Sequence, residues 1–551
     1  MSPPFLPLVH VRFSRPRPRP RLSRSLVAIS LLHAGSVVAQ RPDAPPPLRI
    51  AYGVAIADPT SHLYEITIDI DGVRTPTLPL QLPIWSPGRY ARMDFAKNIQ
   101  EFRAADANGA PLTWDKTDGS RWVIRTGGAR DLRIRYKSFD NLLSGTFSVL
   151  DTAHANWNGA SLFMYVEGHK QDPVTLTISA PSGWHVINGD TRAPDQRDFR
   201  FENYDRLIDT PTEVAPAFMV DSFIVDGKKY RTMVHHNGAP PVGVRERFVR
   251  DVEKIVRYEN GVFSAPPLDQ YTFLFNIGYA GGDGMEHLYS TEIIDRRPWT
   301  GNDSLVVLPG VGTAAHEYFH VWNVKRVRPA ALGPFDYTRE QFQPSLWVAE
   351  GWTQYYGQAA LHRSGVTSLD EFYTSMAGII RDNLTAPGRK EMSARMASFH
   401  APFWDGAPQG QPTNGRNTFF SYYTKGSGLA LYLDLFIRGK TANRRSLDDV
   451  FNALKRHTWN APNASYYLQG RGYTEADVEL AASEVAGEDM HPWFEKYVAG
   501  TDDLDYDPLL ARAGLRLVRA GERWHIEEIP DATPAQRVVR DGWTTGRMAG
   551  R

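Results

Sequence analysis

The segment His316-Glu317-Tyr318-Phe319-His320 has the side chains best suited to metal chemistry in this chain. Two histidines four residues apart lie on one face of a helix, about one turn apart, so both imidazoles can reach one metal ion. Glu317 would then lie beside the metal, where a carboxylate can take a proton from water. A catalytic zinc ion takes three protein ligands and keeps one position open. The segment therefore predicts a zinc hydrolase, with His316 and His320 as two of the ligands.

The residues that follow exclude one class of zinc hydrolase. In metzincins a glycine stands three residues, and a further histidine six residues, after the second histidine of the pair. This chain has Asn323 and Arg326 at those positions. The third ligand must therefore come from another segment.

Glu350 is the strongest candidate for the third ligand. It lies about 30 residues after His320, in an apolar segment from Leu346 to Tyr356 that is typical of a helix. A carboxylate among such residues is costly to bury unless it is paired or bound to a metal. The segment alone leaves an exposed glutamate equally open, but the upstream histidines favour the metal. Asp370 and Glu371 are the next candidates.

A further helix-forming segment, Ser421 to Ala430, carries two tyrosines and a lysine next to glycines. Peptide hydrolysis on zinc needs a group that stabilises the oxyanion, and a phenol can do so. Tyr422 and Tyr423 are candidates for that role. The residues alone favour the alternative, in which both tyrosines are core aromatics and the glycines permit close packing.

The composition is typical of a large folded enzyme, with 14 Trp and 24 Tyr in 551 residues. This length is enough for two or three domains. Lys and Arg total 62, and Asp and Glu total 62, so the charge indicates neither nucleic acid nor an acidic surface as a partner. Cysteine is absent, which excludes disulfides and leaves the compartment open.

Residues 1–39 are predicted to be a signal peptide. An arginine- and proline-rich stretch precedes an apolar one, Leu26 to Ala39, which ends in small residues and is too short for a stable membrane anchor. We expect cleavage before Gln40 and an exported protein, periplasmic or secreted. The alternative is an artefact of an upstream start codon. No later segment is apolar enough to cross a membrane, so we expect no membrane span after cleavage.

The period of the hydrophobic residues divides the remainder into three parts, and we expect a multidomain α+β fold. Residues 46–235 alternate with a period of two, which predicts an N-terminal all-β, sandwich-like domain. Residues 236–503 change to a mostly helical period after His320, with an edge strand predicted over 285–293. Residues 504–551 form a short mixed tail with a hairpin and loose last residues.

Several details of this division are open to test. In the β domain His62, His154 and His169 show no ligand spacing and are interpreted as ordinary surface or core residues. A helix is predicted from Val244 to Gly261. Two segments, 446–449 and 474–477, have the pattern of capping boxes, which predicts a helix start at each.

Four motifs resemble those of the glycyl aminopeptidase family of zinc metallopeptidases. His316 to Pro329 is similar to the family's signature, and Leu82 to Tyr90 resembles the motif of its N-terminal β domain. Trp347 to Tyr356 resembles its third-ligand helix, and Gly282 to His287 its glycine-Met-Glu-His loop. The resemblance covers about Pro46 to Asp507. It implies a β domain, then a thermolysin-like zinc peptidase catalytic domain over 236–503, and usually a C-terminal PDZ domain.

Position by position, the resemblance implies His316, His320 and Glu350 as the zinc ligands and Glu317 as the general base. The spacing itself singles out His316, His320 and Glu317, while Glu350 is favoured by its apolar segment together with the upstream histidines.

The resemblance also assigns roles that the residues alone leave open. It raises Tyr423 over Tyr422 as the phenol that stabilises the oxyanion, as in the related aminopeptidase N family. Glu286, with Gly284 and Met285 beside it, aligns with the glutamate that holds the substrate's free amine in that family, although a histidine follows it here instead of an asparagine.

The tail departs from the family pattern. Residues 504–551 amount to about half a PDZ domain, and Pro534-Ala535-Gln536 resembles a PDZ fragment. We therefore expect a truncated, PDZ-like C-terminal segment without a full carboxylate-binding groove.

Together these features predict an exported, Zn²⁺-dependent aminopeptidase that removes small first residues, Gly or Ala, from peptide substrates. The size preference rests on the resemblance alone. One alternative is a zinc endopeptidase of the same fold, which would differ in leaving the region of Glu286 open. The other is a non-catalytic peptide-binding protein that retains the fold.

Overall fold

The computed structural model describes residues 46–301, 306–405, 412–461 and 469–549. The predicted signal peptide, residues 1–39, lies outside them. The chain from Pro47 onward packs as one compact unit. Within the described ranges, no helix combines the length and the hydropathy that a membrane span requires.

The strands range from two to nine residues in length. In chain order they are β1 Arg49–Ala55, β2 Leu63–Asp71, β3 Thr77–Gln81, β4 Ile99–Asp106, β5 Trp114–Lys116, β6 Arg121–Arg125, β7 Asp131–Phe139, β8 Val149–Leu150, β9 Ala155–Trp157, β10 Tyr165–Val166, β11 Val174–Ser179, β12 His185–Asn188, β13 Asp198–Phe201, β14 Thr212–Ala215, β15 Met219–Val225, β16 Lys228–His236, β17 Gln270–Ile277, β18 Gly282–Glu286, β19 Ser290–Asp295, β20 Leu515–Ala520 and β21 Arg523–Glu528.

The longer helices begin with α3, after the strands of the first part of the chain. In chain order the helices are α1 Gly159–Leu162, α2 Tyr204–Ile208, α3 Val244–Phe263, α4 Val311–Phe319, α5 Thr353–Arg363, α6 Leu369–Thr385, α7 Ala394–Phe399, α8 Ala401–Trp404, α9 Gly415–Thr418, α10 Tyr422–Thr441, α11 Leu447–Thr458, α12 Glu475–Ala486, α13 His491–Phe494, α14 Asp507–Arg512 and α15 Pro534–Thr545. Trp347–Trp352 and Glu495–Ala499 have π-helical geometry. Short 3₁₀ turns occupy Pro59–Ser61, Phe95–Asn98, Ala330–Leu332 and Pro387–Lys390.

Three sheets build the first part of the chain. One has six strands in the order β13-β11-β1-β2-β7-β4, and two have four, β10-β3-β6-β5 and β12-β14-β9-β8. In β2 every second side chain, from Tyr64 to Ile70, points into the core and is at most 1% exposed. This burial explains the period of two in the sequence. The prediction of an N-terminal β-rich domain is confirmed.

A fourth, mixed sheet lies under α4, the metal helix that carries His316, and has the strand order β15-β16-β17-β19-β18. β16, β17 and β19 are parallel, while β15 and β18 are antiparallel to their neighbours. Residues 219–235 were predicted to belong to the N-terminal domain, yet β16 pairs with β17 from Lys229 to His236. The change of sheet therefore precedes Met219 instead of falling at 235, because periodicity does not reveal which partner a strand will choose.

The prediction of a single edge strand over 285–293 is wrong. The chain turns at 287–289, where the His287 amide donates to the Ser290 carbonyl (2.9 Å). Two antiparallel strands result, with β18 at the edge of the sheet and β19 inside it. Gly282 and Gly284, of the segment that resembles the family's glycine-Met-Glu-His loop, lie within β18 itself.

The metal helix α4 is short. It begins after Gly310, whose φ of 88° lies in the left-handed region that glycine adopts without strain. It ends at Phe319, with His320 as its C-cap residue. The amides of Val321 and Trp322 donate to carbonyls only three residues back, which tightens and ends the helix. The helix therefore ends at the second histidine, and both histidines keep helical spacing.

The chain after His320 is mostly helical, as predicted. Both capping boxes are present: Ser446 and Asp449 start α11, and Thr474 and Asp477 start α12. α3 continues two residues past the predicted stop at Gly261, since the side chain of Phe263 is buried in the core.

The tail is α14, the hairpin β20–β21 and α15. The hairpin is confirmed. The prediction of loose last residues is wrong for α15, because Trp543 is fully buried and its indole donates to the Tyr355 hydroxyl (3.1 Å). Arg363 also donates to the Trp543 carbonyl (2.7 Å). The PDZ-like character of residues 504–551 stays a prediction.

Candidate metal centre and substrate cleft

Three predicted ligands from two helices meet at one point. His320 Nε2 lies 3.1 Å from His316 Nε2 and 3.2 Å from an oxygen of Glu350, and the same oxygen is 3.6 Å from His316 Nε2. Donor atoms held about 2.0–2.2 Å from one zinc ion stand at such separations. The geometry therefore brings His316, His320 and Glu350 together as one candidate metal site.

A close crossing of two helices positions Glu350. The side chain projects from the π-helical turn Trp347–Trp352, a geometry that is often found at functional sites. Gly351 of this turn packs directly on Gly426 of α10. A Cβ at either glycine would overlap backbone atoms of the other helix. The two glycines thus set the distance at which Glu350 enters the site.

His320 is oriented by a second hydrogen bond. Its Nδ1 lies 2.6 Å from the Asn323 carbonyl, which leaves Nε2 to face the other two ligands. The side chain of Asn323 in turn donates to the Val348 carbonyl (2.8 Å) and to the Thr353 hydroxyl (3.1 Å). Asn323, which stands where a metzincin has glycine, therefore links the helix that carries the two histidines to the helix that carries Glu350 through hydrogen bonds.

Glu350 receives a hydrogen bond from the part of the chain that contains β1 to β14, which we call the N-terminal β half. The Tyr90 hydroxyl donates to Glu350 Oε1 (2.6 Å), and both groups are buried. Tyr90 follows Arg89, whose guanidinium pairs with Asp283 and, at 3.5 Å, with Asp405. A loop of the β half thus completes the site.

The charges of the ligands depend on one another. Burial lowers the pKa of His316. Burial also lowers that of His320, but the Glu350 and Glu286 carboxylates outweigh it and raise the pKa to about 10. Burial alone would raise the pKa of Glu350, but the two imidazoles hold it well below its usual range. The site therefore favours an anionic carboxylate beside positive charge.

Glu317, the predicted general base, lies in the same cleft. It is 5% exposed, and burial raises its pKa well above the usual range. Gly284 of β18 lies directly against its carboxylate, so that a Cβ at that position would overlap Glu317 Oε1 and also approach Thr313. The edge strand and α4 can approach so closely only because this residue is glycine.

Glu286 is the last residue of the edge strand β18, and its carboxylate lies near Glu317. Carboxylate oxygens of Glu286 and Glu317 and a nitrogen of His320 lie within 4.8 Å of one another. Gly88, with φ of 88°, packs over this strand, and a Cβ there would overlap the sulfur of Met285 and lie 2.8 Å from Glu286 Oε2. Glu286 therefore lies at a covered end of the cleft, while Met285 is fully buried behind it.

The two neighbouring tyrosines differ in position. Tyr423 lines the cleft of about 350 Å³ that contains the candidate metal site, and its ring stacks 6.2 Å from that of His316. Tyr422 is 2% exposed and packs 6.4 Å from the ring of Tyr90. The geometry favours Tyr423 as the phenol that faces a substrate.

The alternative third ligands are placed elsewhere. Glu371 caps α6 with Ser368, and the Asp370 side chain is 82% exposed beside His525. Tyr90 and Asn323 are site residues that sequence reasoning missed as such. Tyr90 lies in the motif that resembles the family's β-domain signature, so that motif was the available signal.

Comparison with known proteins agrees with this geometry. Residues 51–216 match the Peptidase M61 N-terminal domain, and residues 310–429 match M61 glycyl aminopeptidase. The chain belongs to the M61 glycyl aminopeptidase family. The predicted resemblance is confirmed, and this M61 family member is a peptidase.

Comparison with solved structures gives further matches. An aminopeptidase N family protein from Idiomarina loihiensis has a TM-score of 0.77 and 26% identity, covering 85% of this chain and 79% of that chain. A mutant M1 zinc metallopeptidase from Deinococcus radiodurans has a TM-score of 0.48 and 12% identity, covering 83% of this chain and 96% of that one. No curated protein matches the M61 chain.

Proposed function

We propose that this protein is an exported, zinc-dependent aminopeptidase that hydrolyses the first peptide bond of peptides beginning with a small residue. The observation that carries the exopeptidase part is the position of Glu286, at the covered end of the cleft and within 4.8 Å of His320 and Glu317. The preference for Gly or Ala is supported by the family match. Export is supported by residues 1–39 of the sequence.

The donor set fits zinc. Two imidazole nitrogens and one carboxylate oxygen form the ligand set of catalytic zinc sites, and here a hydrogen bond orients each of His320 and Glu350. When bound, zinc supplies positive charge that polarises the scissile carbonyl and lowers the pKa of water and of the nearby Glu317 carboxyl.

Two side chains of the cleft have separate roles in the remaining chemistry, proton transfer and stabilisation of the oxyanion. Glu317 accepts the proton of the attacking water and passes it to the leaving amine. Tyr423 donates its phenolic hydrogen to the oxyanion. Burial raises its pKa well above the usual range, so the proton stays available. Each of these steps needs only groups that line the same cleft.

The edge strand gives the substrate a direction. β18 runs from Gly282 to Glu286 and, among the described strands, pairs on one side only, with β19. An extended peptide that adds to its free edge in antiparallel orientation has its amino end at Glu286. The carboxylate of Glu286 would then pair with the free amine, which orients the first peptide bond and disfavours N-blocked peptides.

Two other functions are compatible with the fold. A zinc endopeptidase would need the cleft to continue past Glu286, where Gly88 and Arg89 of the β half now lie. A non-catalytic binding protein would have no need of Glu317, a carboxylate that is costly to bury beside a ligand triad.

Kinetics on paired substrates test the proposal. We expect the zinc-loaded protein to hydrolyse glycyl-p-nitroanilide and to leave N-acetylglycyl-p-nitroanilide almost untouched. Glu286→Ala should lower kcat/KM by about 10²-fold on the free-amine substrate, as expected for a lost charge-assisted contact, with bound zinc unchanged. Efficient cleavage of the acetylated substrate by the wild type would replace the aminopeptidase with the endopeptidase.

A further inference from the structure

A second cluster of metal-binding side chains lies away from the cleft, between the four-stranded sheet β12-β14-β9-β8 and the mixed sheet. It consists of His154, just before β9, Glu213 of β14 and His235 of β16. His154 and Glu213 are at most 1% exposed, and His235 is 8% exposed. Spacing along the chain does not single them out, since Glu213 and His235 follow His154 by 59 and 81 residues.

The donor atoms of the cluster form a triangle like that of the first site. His154 Nδ1 lies 2.8 Å from Glu213 Oε1, His235 Nδ1 lies 3.2 Å from the same oxygen, and the two nitrogens are 3.2 Å apart. The corresponding separations among His316, His320 and Glu350 are 3.1, 3.2 and 3.6 Å. The donor set, two imidazoles and one carboxylate, is also the same.

Neighbouring groups hold these atoms in place. Asn156 and Asn276 donate to the other oxygen of Glu213, at 3.0 and 3.4 Å, which leaves Oε1 to the two histidines. The Tyr279 hydroxyl lies 3.0 Å from His235 Nε2, so that the far side of this ring is engaged and Nδ1 is directed at the triangle. Such outer contacts are characteristic of metal-ligating histidines.

Two buried carboxylates lie close together here. Glu213 belongs to the cluster, Glu292 of β19 interacts with it electrostatically, and both side chains are fully buried. A buried carboxylate is costly unless it is paired or bound to a metal ion.

We propose that His154, Glu213 and His235 bind a second divalent transition-metal ion, of the zinc class, that links the N-terminal β half to the sheet beneath the metal helix. Imidazole and carboxylate ligands suit zinc and its first-row neighbours. Because Glu213 and His235 come from strands of two different sheets and His154 lies just before β9, the ion would stabilise the folded chain and take no part in peptide hydrolysis.

Metal counting on the full chain tests this proposal. The protein is stripped with a chelator, reloaded with zinc, gel-filtered into metal-free buffer, and its zinc per chain is measured by mass spectrometry. We expect two equivalents in the wild type and one in the double variant His316→Ala with His320→Ala, which keeps only the second site. His154→Ala with His235→Ala should also retain one. The control His185→Ala, which removes an exposed histidine paired with Asp195, should retain two.

The counts separate this proposal from the proposed function. One equivalent in the wild type and none in the His316→Ala, His320→Ala variant would overturn the second site and leave the first. One equivalent in each of these, with none in the His154→Ala, His235→Ala variant, would support the second site and contradict the first. Since the wild type and the first double variant suffice, the test holds even where the other double variant fails to fold.

Discussion

At the residue scale, the two most deeply buried ligands of the first candidate site are each held by a further hydrogen bond. His320 is fixed through the Asn323 carbonyl and Glu350 through the Tyr90 hydroxyl. Such bonds select which nitrogen or oxygen faces the metal. They also hold the side chains in place before the ion binds, so less side-chain entropy is lost on binding. Substitutions beside the ligands should therefore change metal affinity or turnover selectively.

Tyr423 and its neighbour provide a matched pair. Tyr423→Phe should lower kcat by about 10²-fold with little change in KM, as expected for a donor that acts mainly in the transition state. Tyr422→Phe removes a buried hydroxyl that does not line the cleft, and should change kcat by less than about threefold. Steady-state kinetics on a glycyl anilide measure both. A large loss in Tyr422→Phe alone would exchange their roles.

Gly284 tests the contact between the edge strand and the base. Gly284→Ala places a methyl group against Glu317 Oε1 and should lower kcat by at least about tenfold, because the base is displaced while the ligands stay. Gly282→Ala, where nothing lies within 4 Å of the added methyl, is the control and should retain activity. Equal activity in both variants would contradict a role for this contact.

At the element scale, the site depends on where two helices cross. The π-helical turn that carries Glu350 meets α10 through Gly351 and Gly426, and α10 also carries Tyr423. The third ligand and the candidate oxyanion donor are therefore positioned by the same contact.

A methyl group at that crossing should separate the helices. Gly426→Ala would overlap the Trp347 carbonyl and should lower the free energy of unfolding by about 1–3 kcal/mol, together with zinc affinity. Gly378→Ala, at an open position of α6, should raise it by up to about 1 kcal/mol, because alanine favours the helix. Urea unfolding measures both. A neutral Gly426→Ala would mean that the crossing relaxes freely.

The sequence predicted those elements well whose signals lie within a few residues of one another. The capping boxes of α11 and α12 and the hairpin β20–β21 depend on residues only a few positions apart, and all were found. The end of α4 and the turn between β18 and β19 were not found, although hydrogen bonds between residues three apart close both. The role of Gly284 was not predictable either, because it provides room for Glu317, which is distant in the sequence.

At the scale of the whole molecule, the N-terminal β half takes part in the metal site. Tyr90 lies 260 residues before Glu350 in the chain, and no pattern in either segment indicates that they touch. The same limit applies to His154 and Glu213. The proximity of His316, Glu317 and His320 was predictable because helix spacing encodes it, while groups from other elements require the fold.

Removing the Tyr90 hydroxyl should weaken metal binding from a distance. Tyr90→Phe should raise the dissociation constant of zinc by about 10-fold to 100-fold and leave kcat at saturating zinc within a few-fold of wild type. Tyr136→Phe is the control, since its buried hydroxyl donates to the Leu162 carbonyl (2.8 Å) in the β half. Competition with a chromophoric chelator measures the affinity. Equal affinities in the two variants would show that Tyr90 acts only in packing.

The most direct test of the proposed zinc peptidase is Glu317→Gln, measured for zinc content and for hydrolysis of glycyl-p-nitroanilide on the same sample. The substitution keeps the shape of the side chain and leaves His316, His320 and Glu350 intact, but removes the proton acceptor. We predict unchanged zinc content and a kcat lowered by at least about 10²-fold. A variant that keeps its zinc and more than about a tenth of the wild-type kcat would contradict the account.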